Sequence, residues 1–166
     1  MTRTAHLPLR SLLTAILLVG ACISCAEDGK GKTYKAAGGP TVRDLTVAGR
    51  TVSIELAVTP TSRNQGLMHR TALETDAGML FIFVDDKPRT FWMRNTLIPL
   101  DIIFLDADGT VQNIEQGQPM AEVPGYHSLR AARMVLELEA GWSAEHGLKA
   151  GDRIDVPGGW LELPEA

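Results

Sequence analysis

The chain reads as a mainly β protein, a single compact domain of β-sandwich or barrel-like build with two short helices. Three features predict this. Segments 79–84 (MLFIFV) and 100–105 (LDIIFL) are short and apolar on both sides of a two-residue alternation, a pattern that suits core strands better than helices. Clusters of Asp, Gly and Pro recur between apolar runs, at 85–88 and 106–109, and such residues turn the chain back on itself. A hydrophobic content of 45% in 166 residues supplies the core of one ordinary domain, and 22% charged residues make an ordinary soluble surface.

The N-terminus stands apart from that domain. Arg3 and Arg10 surround a polar start, an apolar run follows over 12–19, and small Gly20 and Ala21 come next. Basic, apolar and small-residue zones in that order predict a secretory signal over 1–21, and the apolar run is well short of the ~20 residues a spanning helix needs. Val19-Gly20-Ala21-Cys22 resembles a bacterial lipobox, which implies that Cys22 is diacylated and becomes the mature N-terminus. Val19 and Ala21 also satisfy the small-residue rule of the ordinary signal peptidase. Lipidated, the chain would be exported and held to a membrane of the cell envelope, since each buried methylene contributes about 0.8 kcal/mol. Ile23 replaces the acidic residue associated with inner-membrane retention, which favours the outer membrane in a two-membrane cell.

With Cys22 acylated, Cys25 alone cannot close an intrachain disulfide, so stability must come from the core. Losing Arg3 and Arg10 from the 16 basic residues leaves 14 against 20 acidic ones, a mature net charge near −6. That balance argues against nucleic acid as a partner. Residues 22–40, rich in Gly, Lys and Ala, read as a flexible tether.

The β domain is expected over 41–158. It opens with a hairpin: Val52, Ile54, Leu56 and Val58 alternate with Ser53 and Glu55, and Ala48-Gly49-Arg50 supplies the connection to 41–47. Thr59 as N-cap and Pro60 at the first helical position predict a short helix over 60–69. Arg63, Leu67 and Arg70 share one side of that helix, and Gly66 inside it implies close packing. Strands follow at 79–84, 90–94, 100–105 and 110–115. Residues 116–130, with Gly117, Pro119, Pro124 and Gly125, form the one long irregular connection, a kind of loop that is often functional or mobile. In the strand at 133–138, Met134, Leu136 and Leu138 are expected inward and Arg133 and Glu137 outward. A second short helix or turn is expected over 140–146, a last strand at Ile154 and Val156, and a frayed tail over 159–166.

Five segments carry a family resemblance: GLMHR at 66–70, GMLFIF at 78–83, FWMRNTLIPLDIIFLD at 91–106, VLELEAG at 135–141 and GD at 151–152. In this order and spacing they resemble the bacterial and archaeal family catalogued as domain of unknown function 192, over roughly residues 41–156. The resemblance implies a compact, mainly β domain of jelly-roll or sandwich type. It implies no established activity.

No nucleophile elbow, zinc-binding helix motif or phosphate-binding Gly-rich loop is present. Candidate chemistry lies in a polar set within the longest of those segments. Asp101 shares a face with Ile103 and Leu105, and an unpaired buried carboxylate would cost several kcal/mol. Either it latches the short helix to the sheet through backbone amides and an Arg, or it faces a ligand. Trp92 and Phe91 are neighbours in a strand and point to opposite faces, so Trp92 is either core or a stacking platform.

The candidate ligand-binding set is therefore Arg63, Arg70, Trp92, Asn95 and Asp101, for a small molecule, glycan or peptide. Met and His residues form no closely spaced run, so no metal or other cofactor is expected. The leading expectation is a non-catalytic binding module. Its rivals are a hydrolase or transferase on an envelope substrate, with Asp101 as general base and Asn95 or Arg63 stabilising negative charge, and a purely structural lipoprotein.

Overall fold

The computed structural model describes residue 1, residues 34–35 and residues 41–162. The signal, Cys22, Cys25 and nearly all of the tether lie outside the described residues. Within these, nine strands and three short helices alternate in a mainly β arrangement.

Strands β2 (Thr41–Val47) and β3 (Arg50–Ala57) form the expected hairpin. Ala48 and Gly49 turn it with φ of 48° and 76°, the left-handed pair that matches the strands' own twist. A short β1 (Tyr34–Lys35) pairs with the start of β2, so the sheet begins inside the stretch read as tether. After β3 the chain crosses one face through α1 (Pro60–Gln65) and returns as β4 (Ala77–Lys87), parallel to β3. Parallel neighbours require such a crossover, and this one becomes a wall of the candidate site.

Next come β5 (Thr90–Phe91), β6 (Leu100–Leu105), β7 (Val111–Gly117), β8 (Tyr126–His127) and β9 (Ala132–Glu139), then α2 (Trp142–Glu145) and α3 (Gly158–Leu161). The main sheet has seven strands in the order β1-β2-β3-β4-β9-β6-β7, and β5 pairs with β8 in a second small sheet. The edges β1 and β7 do not pair with each other, so the sheet stays open and the barrel alternative falls.

Both faces of the centre are covered. On one, Leu80, Ile82, Ile103, Leu105, Leu136 and Leu138 pack with Trp142, Ile154 and Trp160. On the other, Met79, Phe81, Leu100, Ile102, Phe104 and Val135 pack with Leu67 and Met93. This two-sided burial is what the apolar runs at 79–84 and 100–105 encode.

Three local expectations change. The strand expected over 90–94 ends at Phe91. Ile154 is buried without belonging to a strand, the only pairing there being an isolated bridge between Thr110 and Arg153. Residues 158–161 form α3, so the frayed tail expected from 159 instead begins in a helix that buries Trp160 against the core, with the Arg43 guanidinium 5.3 Å from its ring centre. An indole removes enough apolar surface from water to hold one helical turn in place.

Candidate functional site

A cleft of about 370 Å³ opens on the second face, between α1 with its following turn, β4, β5 and the 92–96 segment. Its first wall follows from capping chemistry. The Ser62 amide donates to Thr59 Oγ1 at 3.0 Å, and the Thr59 amide donates to Ser62 Oγ at 3.0 Å, a reciprocal box that starts the helix beside Pro60. The helix stops at Gln65, not 69, because Gly66 takes φ of 49°. A Cβ at Gly66 would lie 3.3 Å from Phe81 Cζ, so the residue lets the turn close down on that ring.

The early stop separates the two arginines expected on one helical side. Arg63 Nη1 donates to the main-chain carbonyls of Val58 at 2.6 Å and Ile82 at 2.9 Å, and Arg63 lines the cleft. Arg70 turns away and makes a two-point ion pair with Glu55, its Nη2 lying 2.7 Å from Oε2.

The second wall is aromatic. Phe81 and Phe91 meet edge to face with ring centres 4.9 Å apart, and Phe83 lines the cleft beside them. Where β5 ends, Met93 is pinned by its amide to the Ala121 carbonyl at 2.7 Å, and Met120 donates to the Thr96 carbonyl at 3.0 Å. This irregular path turns Trp92 outward. It remains 48% exposed on the cleft rim, with the Arg94 guanidinium 4.2 Å from its ring centre. Asn95 adopts φ of 56° and accepts a hydrogen bond from the His69 amide through its main-chain oxygen at 2.8 Å. Asn95 therefore shapes the loop and does not line the cleft.

Asp101 is 1% exposed and lies on the opposite face of the sheet. Its Oδ1 accepts from the Gly141 amide at 2.9 Å and its Oδ2 from the Ser143 amide at 2.8 Å. It is a latch on the start of α2, made by backbone amides with no arginine. Of the five expected residues, the structure thus brings Arg63 and Trp92 together at the cleft, and leaves Arg70, Asn95 and Asp101 out of its lining.

The residue that sequence reasoning turned the wrong way is Glu137. It was expected outward because Leu136 and Leu138 point inward, an inference that holds only if the far face is wet. Here β9 lies between β4 and β6, with Glu137 abreast of Met79 and Ile102, and the far face is covered. Glu137 is 4% exposed and lines the cleft. Burial alone pushes its carboxyl up to about 8, as desolvation disfavours the charged form. The available signal was the two-sided apolarity of 79–84 and 100–105, which requires a sheet covered on both faces. Among the described residues, no three His, Cys, Asp or Glu side chains gather as a metal site, and no helix is long and apolar enough to cross a membrane.

Fold and site together define a class: an open mixed β-sheet domain with an aromatic cleft floored by a buried acid. The chain belongs to the family of domain of unknown function 192, described as "Uncharacterized ACR", whose model matches residues 43–156. It is similar to a Sinorhizobium meliloti 1021 protein named a candidate transcription regulator, at 42% identity and a TM-score of 0.62, covering 69% of this chain and 90% of that one. It is also similar to a protein of unknown function from Novosphingobium aromaticivorans DSM 12444, at 33% identity and a TM-score of 0.68, covering 82% and 100%. No curated protein matches the chain.

Proposed function

We propose that this protein is an exported lipoprotein, anchored through Cys22 to a membrane of the cell envelope, whose β domain binds a small ligand in the Trp92 cleft. One observation carries the binding reading: a half-exposed indole stands at the mouth of a concavity whose walls are apolar and whose floor holds a buried carboxyl. Small-ligand sites have this make-up, mostly apolar with a few placed polar groups, in volumes of about 300–1,000 Å³.

The catalytic alternative loses its base, because both oxygens of Asp101 are committed to backbone amides. The purely structural alternative leaves Glu137 without a purpose, since burial of that acid opposes folding at neutral pH. The regulator description of the S. meliloti relative fits this chain poorly. Its acidic surplus repels the phosphate backbone that dominates nucleic-acid affinity.

A fragment screen read by amide chemical shifts tests the binding reading. Bound fragments are expected to perturb residues 63–68, 81–83 and 90–96, and Trp92→Ala should weaken them about tenfold while the urea midpoint stays put. Hits scattered over the surface, or unchanged affinity in Trp92→Ala, would overturn it. Cys22→Ala should move the protein from the membrane pellet to the soluble envelope fraction, and retention in the pellet would end the lipoprotein reading.

A further inference from the structure

The chemistry around Glu137 narrows the ligand. This carboxyl sits on β9, an inner strand between β4 and β6, nine-tenths and more buried, among Met79, Phe81 and Ile102 on the face that forms the cleft. No described residue is hydrogen-bonded or ion-paired to it: its shift is caused by burial and nothing else. The other charged residue lining the cleft, Arg63, is engaged with the carbonyls of Val58 and Ile82. An acid in such a place is matched by a group that arrives from outside, carries positive charge and donates hydrogen bonds, because a charge leaves water at tolerable cost only when paired.

The aromatic rim already carries the protein's own cations. The ring of Phe83 has the Arg89 guanidinium 3.8 Å and the Arg63 guanidinium 5.1 Å from its centre, and Trp92 has Arg94 at 4.2 Å. These faces are taken, so the rings left to receive a ligand's apolar body are Phe81, Phe91 and the open side of Trp92. Two of these arginines are offset by carboxylates, Arg89 by Asp85 at 2.6 Å and Arg94 by Glu122 at 3.7 Å, while Arg63 is held by main-chain carbonyls.

Resting on the reading of the cleft as a binding site, we propose that its ligand is an organic ammonium: an apolar body that fills the Phe81, Phe91 and Trp92 walls, with an amine that donates to the Glu137 carboxylate at the floor. An ammonium gains a charge-assisted hydrogen bond from Glu137. A hydroxyl gains one neutral hydrogen bond, and a carboxylate is repelled wherever Glu137 is ionised.

The test uses three soluble probes with one phenyl body: phenethylammonium, 2-phenylethanol and 3-phenylpropionate. Each is titrated into the full-length exported protein, and into its Glu137→Gln variant, at pH 8.5, where Glu137 is mostly ionised and the amine is still charged, with Trp fluorescence and amide shifts as readouts. The expected result is at least tenfold tighter binding of the ammonium than of the alcohol or the carboxylate, with that preference lost in Glu137→Gln while the alcohol still binds. If the alcohol or the carboxylate binds wild type as tightly as the ammonium, the ammonium proposal is wrong and the cleft remains a binding site. If the preference survives in Glu137→Gln, the assignment to Glu137 is wrong. If none of the three perturbs the cleft, the proposal falls together with the binding reading beneath it.

Discussion

Replacing Glu137 by Gln should make the protein more stable above pH 6, by an amount the structure sets. The carboxyl is held near 8 in the folded chain against 4.5 as its ordinary value. Above pH 4.5 the unfolded chain therefore binds fewer protons than the folded one, so this group's contribution to stability declines as pH rises and levels off above 8. Each unit of displacement corresponds to about 1.4 kcal/mol. The loss reaches about 3 kcal/mol at pH 7 and about 4 kcal/mol at pH 8, and is under about 1 kcal/mol at pH 5. Gln has nearly the same shape and does not titrate. Urea denaturation of both proteins at pH 5, 7 and 8 isolates the effect, because every other group is shared. The variant should match wild type within about 1 kcal/mol at pH 5 and exceed it by about 3 kcal/mol at pH 7, or roughly 10 °C in melting temperature. Parallel stability curves across that range would show that Glu137 is solvated or paired, and would remove the floor from the proposed site.

Other substitutions probe the frame around the cleft. Asp101→Asn keeps one acceptor and turns an amide group toward a backbone N–H, so it should cost about 2–3 kcal/mol in urea denaturation and leave probe binding at the cleft unchanged. An unchanged midpoint would refute the latch. Trp160→Ala should cost about 3–5 kcal/mol by the same measurement, as expected for an indole removed from a core; a change below about 1 kcal/mol would return residues 159–166 to the status of a tail. Gly78→Ala would place a Cβ 2.3 Å from the Glu137 main-chain oxygen. Since both groups belong to central strands, the expected cost is about 3 kcal/mol, and a melting temperature within 2–3 °C of wild type would contradict the packing.

The strands were legible wherever burial was two-sided or turn chemistry was local. MLFIFV and LDIIFL announce core strands because nothing but coverage on both faces tolerates such runs. The Ala48-Gly49 turn and the Thr59-Pro60 helix start depend on residues adjacent in sequence, and both are found where expected. What was not legible depended on contacts far along the chain. The helix end at Gly66 rests on Phe81, fifteen positions on. The strand order puts β9 between β4 and β6, and no local pattern encodes that neighbourhood. Trp160 lies beyond the last strand-like segment, and only the fold brings Arg43 over it.

The two buried acids of the sheet show why the site was half seen. Asp101 and Glu137 occupy adjacent central strands, each flanked by apolar neighbours and each nearly inaccessible to water. From sequence, the first stood out as an acid within an apolar run, and the second passed as the wet side of an alternating strand. The structure gives them opposite fates. Asp101 finds the amides of Gly141 and Ser143, so its charge is satisfied within the fold and its presence is explained by α2. Glu137 finds no such donor, raises its own proton affinity and faces a cleft. A leucine there would relieve the fold of about 3 kcal/mol at pH 7 and extend the apolar floor. The acid therefore answers to something other than folding, and the nearest unfilled space in which to answer is the cleft beneath Trp92.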